Sequence, residues 1–323
     1  MDNNATIIIL IFAAIVDYLI ADPWGWLHPV EVMGWLISIY SNFVLSICHT
    51  KNQRRCAGVI LGLGLIVASG IVGWSINLIK YHLDPFLGIF FEIILLASCF
   101  AGRSLRLAAL DVLLPLRNGK IDSARTKLSQ YVGRDTANLS PEEIWRALVE
   151  TVSENAIDGV TAPLFYAIAG GFFPGVNSVA LALAYKAAST LDSTIGYQKE
   201  PFTDLGWFSA KFEDLLTWIP CRLTVLTLSI LSRKPILVLS ICYRDAPKDP
   251  SPNSGWSECI YAAILGIQLG GKNTYQGIIK EKPLLGDPLH SITSQTIEKA
   301  LNLTRICCLL WLSLGVTGLW LLS

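Results

Sequence analysis

Three carboxylates recur at i, i+4 and i+8 in the run SPEEIWRALVETVSENAIDG: Glu150, Glu154 and Asp158. On an α-helix that spacing puts all three on one stripe. Both ends of the helix are marked. Ser140 is a good N-cap, Pro141 suits the first helical position, Glu143 completes a capping box, and Asp158-Gly159 is the expected stop. The acids therefore crowd towards the C-terminus, where the macrodipole disfavours negative charge, and like charges four apart repel by roughly 0.2–0.5 kcal/mol per pair. Stability alone would not put acids there. The stripe asks for a cation, either Mg²⁺ or a Lys or Arg partner.

Other polar islands could complete such a site. Arg103 and Arg106 open one helix, and Val132-Gly133-Arg134-Asp135-Thr136 ends a second. Gly133 can supply a positive φ for close backbone approach, and Arg134 offers a planar fork for phosphate. Asp111, Asp122, Arg125 and Lys127 read as solvated surface charge. Further on, Lys186, Ser189, Thr190 and Ser193 share a helical face with Asp192 beside it, and Gly196 ends that helix. Lys211, Asp214, Trp218 and Arg222 recur on the next helix; Asp214 and Arg222 flank Pro220 and suit mutual neutralisation as well as a ligand role. The loop from Asp245 to Gly255 runs into a helix expected over Trp256–Gln268. Free N–H groups at its start, with Ser251, Asn253 and Ser254, would seat an anion. Glu258, one turn in, suits a metal or an amine. A turn-rich surface loop is the plain alternative.

Two signals carry less. Asp22-Pro23 with His28-Pro29 reads either as a stiff turn with Trp24 and Trp26 as interface anchors or as a substrate contact. Gly266-x4-Gly271-Lys272 imitates a P-loop, but Asn273 stands where Ser or Thr should hold Mg²⁺, and a helix rather than a strand precedes it. A Walker A fold is rejected, leaving Lys272 as a phosphate contact.

The elements that must position these groups are set by composition. The chain of 323 residues is 52% hydrophobic and 15% charged, with 10 Trp. Mean hydropathy is +0.50. Soluble domains carry about 25% charged residues, so the sequence predicts an all-α, polytopic membrane protein. Net charge is zero, which gives no nucleic-acid footprint. The eight cysteines are scattered without a C-x-x-C pair and read as buried reduced thiols; His28, His49, His82 and His290 do not cluster as a zinc or haem site.

Cys56 to Ile79 is the clearest crossing, since it holds no charge and is long enough for a core of about 30 Å. Phe86–Ala101, interrupted by Glu92, and Ile306–Leu322 are further candidates; Thr6–Ala21 and Met33–Cys48 are shorter. Thr6–Ala21 lacks a basic n-region and a cleavage site, so it reads as a retained helix rather than a signal peptide. Val160–Ala184 is broken by Gly170, Gly171, Pro174 and Gly175, which favours a broken or re-entrant hairpin; Leu223–Tyr243 is split at Ser232–Pro235. Lys51, Arg54 and Arg55 put the loop before the clearest span in the cytoplasm. Counting crossings from there brings polar segments at about 103–159, 185–214 and 244–290 to the same side. With no repeat or flexible linker, a single membrane domain over 1–323 is expected.

Taken together the islands resemble the adenosylcobinamide-phosphate synthase family of cobalamin biosynthesis. The matching stretches are ADPWGWLHPVEVMG (21–34), FAGRSLRLAA (100–109), the long run at 128–171, AYKAASTLDSTIGY (184–197), FEDLLTWIPCRLT (212–224), DPSPNSGWSE (249–258) and LGGKNTYQG (269–277). They occur in the family's order and cover the chain nearly end to end. Lys186, Ala188, Ser189, Trp218 and Cys221 depart from the family's usual residues and touch substrate detail more than reaction class. The resemblance implies a multi-pass enzyme of the cell membrane, its active site facing the cytoplasm. It would join the carboxylate of adenosylcobyric acid to an amino-alcohol or its O-phosphate with consumption of ATP. In that reading Glu150, Glu154 and Asp158 hold Mg²⁺–ATP and Asp192 supports them. Arg134, Lys186 and Arg103 serve the phosphates, with Asp135, Asn155, Arg222 and Lys272 as further polar contacts. Ser251, Asn253 and Ser254 seat the amino-alcohol phosphate, and Glu258 or Asp214 orients or deprotonates its amine. Cobalt arrives inside the corrin, so no protein cobalt site is implied. Beyond the bilayer and the substrates, a second copy or other late corrinoid enzymes are the partner classes.

Three other classes compete. A transporter suits broken apolar segments and intramembrane charge, but the two halves show no inverted repeat; uptake into vesicles without ATP turnover would identify it. A phospho-alcohol transferase would require a CTP-activated alcohol. A catalytically silent scaffold for corrinoid assembly would tolerate alanine throughout the acidic stripe.

Overall fold

Caps and apolar runs fix the helices. In this computed structural model residues 3–20, 28–197 and 200–323 are described; the expected turn at Asp22, Pro23, Trp24 and Trp26 lies outside them. Helices α1 (Asn3–Ile20), α2 (Pro29–Ile47), α3 (Lys51–His82) and α4 (Pro85–Ala97) come first. Thr50 caps α3 in a reciprocal box with Gln53, and the Asp84 carboxylate accepts the Leu87 N–H at 2.8 Å to start α4. Then follow α5 (Gly102–Arg117), α6 (Ile121–Leu128) and α7 (Pro141–Ala156), the last opened by the expected Ser140–Glu143 box. Such a cap contributes about 1 kcal/mol.

Asp158-Gly159 does not stop the helix, contrary to expectation. A π-helical turn over Ile157–Thr161 leads into α8 (Ala162–Phe172). Pro163 explains its place, because proline cannot donate to the carbonyl four residues back and its ring crowds that group. The ladder widens there instead of ending. Asp158 sits in the widened turn and leaves the regular stripe of Glu150 and Glu154.

After α8, α9 (Ser178–Ile195) completes the broken hairpin, with Gly196 as C-cap as expected. Next come α10 (Trp207–Leu231) and α11 (Pro235–Asp245), split at the expected place. A short 3-10 turn at Ala246–Lys248 precedes α12 (Ser254–Leu265). Strands β1 (Leu269–Tyr275) and β2 (Ile278–Leu285) and the long α13 (Ser294–Leu321) close the chain. Among the described residues six segments are long and apolar enough to cross a membrane: Asn3–Ile20, Pro29–Ile47, Lys51–Lys80, Pro85–Arg117, Trp207–Leu231 and Ser294–Leu321. The architecture is that of a polytopic α-helical membrane protein. The crossing near 223 begins earlier than expected, at Trp207, and the last one begins at Ser294.

The hairpin was not expected. Its strands pair antiparallel from Leu269↔Leu285 to Tyr275↔Ile278, around Gln276 and Gly277. Both turn residues have positive φ (51° and 78°), the type I′ geometry that matches strand twist.

The chain divides into two compact units interleaved in sequence. The first comprises Met1–Ala101, Ala162–Thr217 and Leu310–Ser323; the second comprises Gly102–Thr161 and Trp218–Leu309. In the first, α3 packs on α9. Gly73 permits this approach, since a Cβ there would meet the Ala180 Cα at 2.8 Å. Ile37, Val44, Leu61, Leu191, Ile195 and Leu205 form an apolar cluster in the same unit. In the second, Leu113, Leu128, Ile144 and Leu148 are fully buried where α5, α6 and α7 meet.

A candidate active site in the second unit

The buried face of α7 carries Glu150, only 2% exposed. A lone carboxylate there would be costly, so its partners matter. The Arg134 guanidinium donates through Nη2 to Glu150 Oε2 and through Nη1 to Asn273 Oδ1 at 2.8 Å. The N–H of Gly270 donates to Glu150 Oε1 at 2.9 Å. Arg146, one turn before Glu150, donates to the carbonyls of Gly270 and Lys272 and to Asn273 Oδ1. Its Nε lies 3.9 Å from Glu150 Oε1. The Asp135 carboxylate accepts the N–H groups of Gln276 and Gly277 at 3.0 and 2.8 Å. Side chains from α7 and the loop before it thus grip the hairpin along its length.

The cation demanded by the acidic stripe is therefore supplied, at Glu150, by arginine. Among the described residues no three His, Cys, Asp or Glu side chains form a metal-ligand group. The three acids expected to hold Mg²⁺ are placed differently from one another: Glu150 is engaged by Arg134 and Gly270, Glu154 is exposed, and Asp158 lies in the π turn. Gly133 is corrected too. It has no positive φ, and a Cβ there would meet nothing within 4 Å. The close backbone approach falls instead at Gly270, where φ is +86° and a Cβ would stand 2.0 Å from the Pro283 carbonyl oxygen. Gly270→Ala is expected to lower stability by about 2 kcal/mol or more. The midpoint of chemical denaturation in detergent reads this; an unchanged midpoint would mean the hairpin contributes nothing to folding.

Next to this grip lies a second buried pair. Glu258 is fully buried on α12, and Lys282 of β2 donates to its Oε1 at 3.0 Å. Glu258 Oε2 is buried with no hydrogen-bond partner among the described residues, and so are Asn273 Nδ2 and Arg146 Nε. Burial pushes the Glu258 carboxyl up to about 8, and Glu150 and Glu154 push the same way against Lys282. Burial alone would lower Lys282, but Glu258, Glu154 and Glu150 outweigh it and hold the ammonium charged. One acid near neutrality beside a fixed cation is the arrangement needed to accept a proton at working pH.

The anion seat is corrected. The Ser251 hydroxyl accepts the N–H groups of Asn253 and Ser254 at 3.2 and 3.1 Å, and Asp249 accepts from the Ser251 N–H and the Ser254 hydroxyl. Those donors at the start of α12 are already taken. Arg222 donates to the Pro252 carbonyl at 2.8 Å and lies over the rings of Trp256 (4.4 Å) and Trp218 (5.3 Å). Lys272 contributes its carbonyl to Arg146, while its side chain is exposed. The P-loop imitation fails on geometry as well: Gly266 is the left-handed C-cap of α12, and Gly271-Lys272 lie in β1. Asn155 is exposed and donates to the Thr151 carbonyl, and Arg103 stands half-buried in the first turn of α5.

The remaining candidates belong to the first unit. Lys186 and Asp192 lie on α9, and Asp214 pairs with Lys211 at 3.8 Å on α10. Sequence reasoning missed Glu213, which is 8% exposed and accepts from Thr217 and, at 3.5 Å, from the Tyr185 hydroxyl. Asp192 and Asp214 act on it electrostatically. In the second unit it missed Arg146, Asn273 and Lys282. The Arg146–Glu150 spacing of four was a legible signal; the other two depend on a hairpin whose pattern was not.

Comparison with known proteins extends these observations. Residues 10–304 match the family described as "CobD/Cbib protein". The chain is 54% identical over 311 residues to "Cobalamin biosynthesis protein CobD" of Synechocystis sp., covering 96% of this chain and 91% of the relative. It is 39% identical over 315 residues to the protein of the same name from Citrobacter koseri, covering 96% and 97%. A further relative of that name, from Halalkalibacterium halodurans, is 39% identical over 300 residues, covering 91% of each chain. No solved structure matches.

Proposed function

The chain belongs to the CobD/Cbib protein family of cobalamin biosynthesis, and from that premise we propose that it is an ATP-dependent carbon–nitrogen ligase. It joins the carboxylate of adenosylcobyric acid to the amine of an amino-alcohol, either aminopropanol or its O-phosphate. The observation that carries this reading is the buried Glu258–Lys282 pair with Glu150 and Glu154 beside it.

A carboxylate is a poor electrophile, so phosphoryl transfer from ATP must activate it before an amine can attack. That step needs positive charge around the migrating phosphoryl group. Lys282 is a held cation at the centre, and the exposed Lys272 is the phosphate contact at its edge. Amines are mostly protonated at neutral pH and must shed a proton to form the new C–N bond. Glu258, raised to about 8 by burial, takes that proton as the phosphoryl-activated oxygen leaves. Arg134, Arg146 and Asp135 position the hairpin that carries Lys282 rather than touching substrate.

Mg²⁺ bound with nucleotide commonly takes one or two protein carboxylates and completes its shell with phosphates and water. Glu154, exposed beside Glu258, fits that role. Glu150 does not, because both its oxygens already accept hydrogen bonds. The ion would neutralise phosphate charge there. Glu154→Gln is expected to raise the Mg²⁺ concentration for half-maximal ligation at least tenfold with little change in rate at saturation. An unaltered Mg²⁺ dependence would remove Glu154 from the metal site.

ATP is cytosolic, and Lys51, Arg54 and Arg55 mark the cytoplasmic end of α3 by the positive-inside rule. Both support a site facing the cytoplasm of the cell membrane. The reading is tested by mass analysis of products from purified protein given the corrinoid acid, ATP, Mg²⁺ and each candidate amine. It expects a corrinoid heavier by one amine less water. Recovery of unchanged acid with every donor would overturn it.

A further inference from the structure

Helix α11 is apolar but too short to be a span. Its 11 residues reach about 16 Å, against a hydrocarbon core of about 30 Å. It nevertheless begins at a membrane boundary. Only Ser232, Arg233 and Lys234 separate it from Leu231, where the crossing segment Trp207–Leu231 ends. Its two faces differ. Val238, Cys242 and Asp245 are buried, whereas Ile236 and Tyr243 are 85% and 69% exposed and Leu237 is exposed beside them. That orientation is fixed within the second unit. Tyr243 meets the Trp256 ring of α12 edge-on at 5.1 Å. The Asp245 carboxylate accepts from Lys248 at 2.8 Å and from the Gly286 N–H at 3.1 Å. An apolar face held outward just past the end of a span is a face for lipid.

The charge beside that face has one sign. No Asp or Glu occurs from Leu215 to Arg244. Arg233 and Lys234 are exposed and form no ion pair among the described residues, whereas Arg244 and Lys248 at the far end of α11 are neutralised by Asp245 and Asp287. Arg233 also stands at φ 59°, a left-handed conformation that glycine or asparagine normally fills after a helix. An arginine held there instead points to a role for its guanidinium.

We propose that α11 lies in the plane of the membrane interface and docks on anionic phospholipid. Ile236, Leu237 and Tyr243 enter the upper acyl chains, and Arg233 and Lys234 hold headgroup phosphates. A guanidinium grips phosphate through two parallel N–H donors, and a lysine acts as a point charge. Both side chains are long enough to reach from an apolar surface to the headgroups. Tyr243, with an apolar ring and a polar tip, suits the same layer. Phosphatidylcholine carries its own cation next to the phosphate, so it attracts the pair less than an anionic lipid does. A second copy of this chain is the poorer occupant, because the exposed face of α11 offers no acid to the other copy's cations. None of these residues belongs to the ligation site.

Lipid-borne photolabelling of the full-length protein tests this. The protein is placed in phosphatidylcholine nanodiscs doped with phosphatidylglycerol that carries a photoactivatable acyl chain, and adducts are mapped by mass spectrometry. The α11 peptide is expected to label at least about threefold more than with the matching phosphatidylcholine probe. Arg233→Gly with Lys234→Gln removes both cations and leaves the left-handed turn to the residue that adopts it most readily. That variant is expected to bring the two probes level, with labelling of the span Cys56–Ile79 unchanged as the sign of an intact fold. High salt should level the probes on the wild-type protein, with no substitution needed. Equal labelling of wild type by both probes, or a preference that survives both high salt and the substitutions, would overturn the proposal. So would an unlabelled α11 peptide, which in a protein that migrates as a dimer would assign the face to a second copy.

Discussion

Glu258→Gln is expected to slow amide formation by at least about 100-fold while leaving the helical fold intact, the scale lost when a positioned base is removed. The substitution keeps shape and burial and takes away only the ability to accept a proton. The wild-type rate should rise with pH through about 8, where the buried carboxyl loses its proton. The variant should lack that limb. Stability runs the other way. The Glu258 pKa in the fold stands above its ordinary value of 4.5, so the contribution is complete below about 4.5 and is lost as pH rises through about 8. Chemical denaturation at several pH values should show wild type losing stability over that interval and Glu258→Gln losing less. A variant with wild-type rate and wild-type pH profile would exclude Glu258 as the base.

Arg134→Met is expected to destabilise the second unit by about 3–5 kcal/mol, the usual cost of stranding one member of a buried ion pair. Glu150 would keep the Gly270 N–H and Arg146 at 3.9 Å but lose its main countercharge. Asn273 would lose a donor at 2.8 Å. The double substitution Arg134→Met with Glu150→Leu should recover much of the loss, because it removes both charges together. Denaturation midpoints of the single and double variants decide this. If the double variant is no more stable than the single one, the pair is not where the energy lies.

Much of this organisation could be read from the residues. The Ser140–Glu143 box, the split at Ser232–Lys234 and the hairpin of α8 and α9 rest on local chemistry, namely a capping hydroxyl, a proline and clustered glycines. The acidic stripe announced that a cation was needed near Glu150 but could not say which one. Arg146 stands one turn away on the same helix, Arg134 reaches Glu150 from the loop before it, and the hairpin folds back to share both. That hairpin escaped notice since LGGKNTYQGIIKEKPLL alternates poorly and its glycines suggest loop. Pro163, which re-routes the helix at Asp158, acts from four residues beyond Gly159 and is invisible to a stop signal read at Gly159 alone. Ser251 looked like a phosphate donor, yet its hydroxyl serves its own helix. Side-chain competition of this kind is decided by geometry, and spacing does not reveal it.

The most direct test follows ATP and corrinoid together in one reaction. Purified wild-type protein in detergent, given adenosylcobyric acid, Mg²⁺ and aminopropanol phosphate, should consume one ATP for each amide formed, and Glu258→Gln should lose both in parallel. Amide formation without ATP consumption, or ATP turnover that ignores the corrinoid acid, would contradict a ligase centred on the Glu258–Lys282 pair.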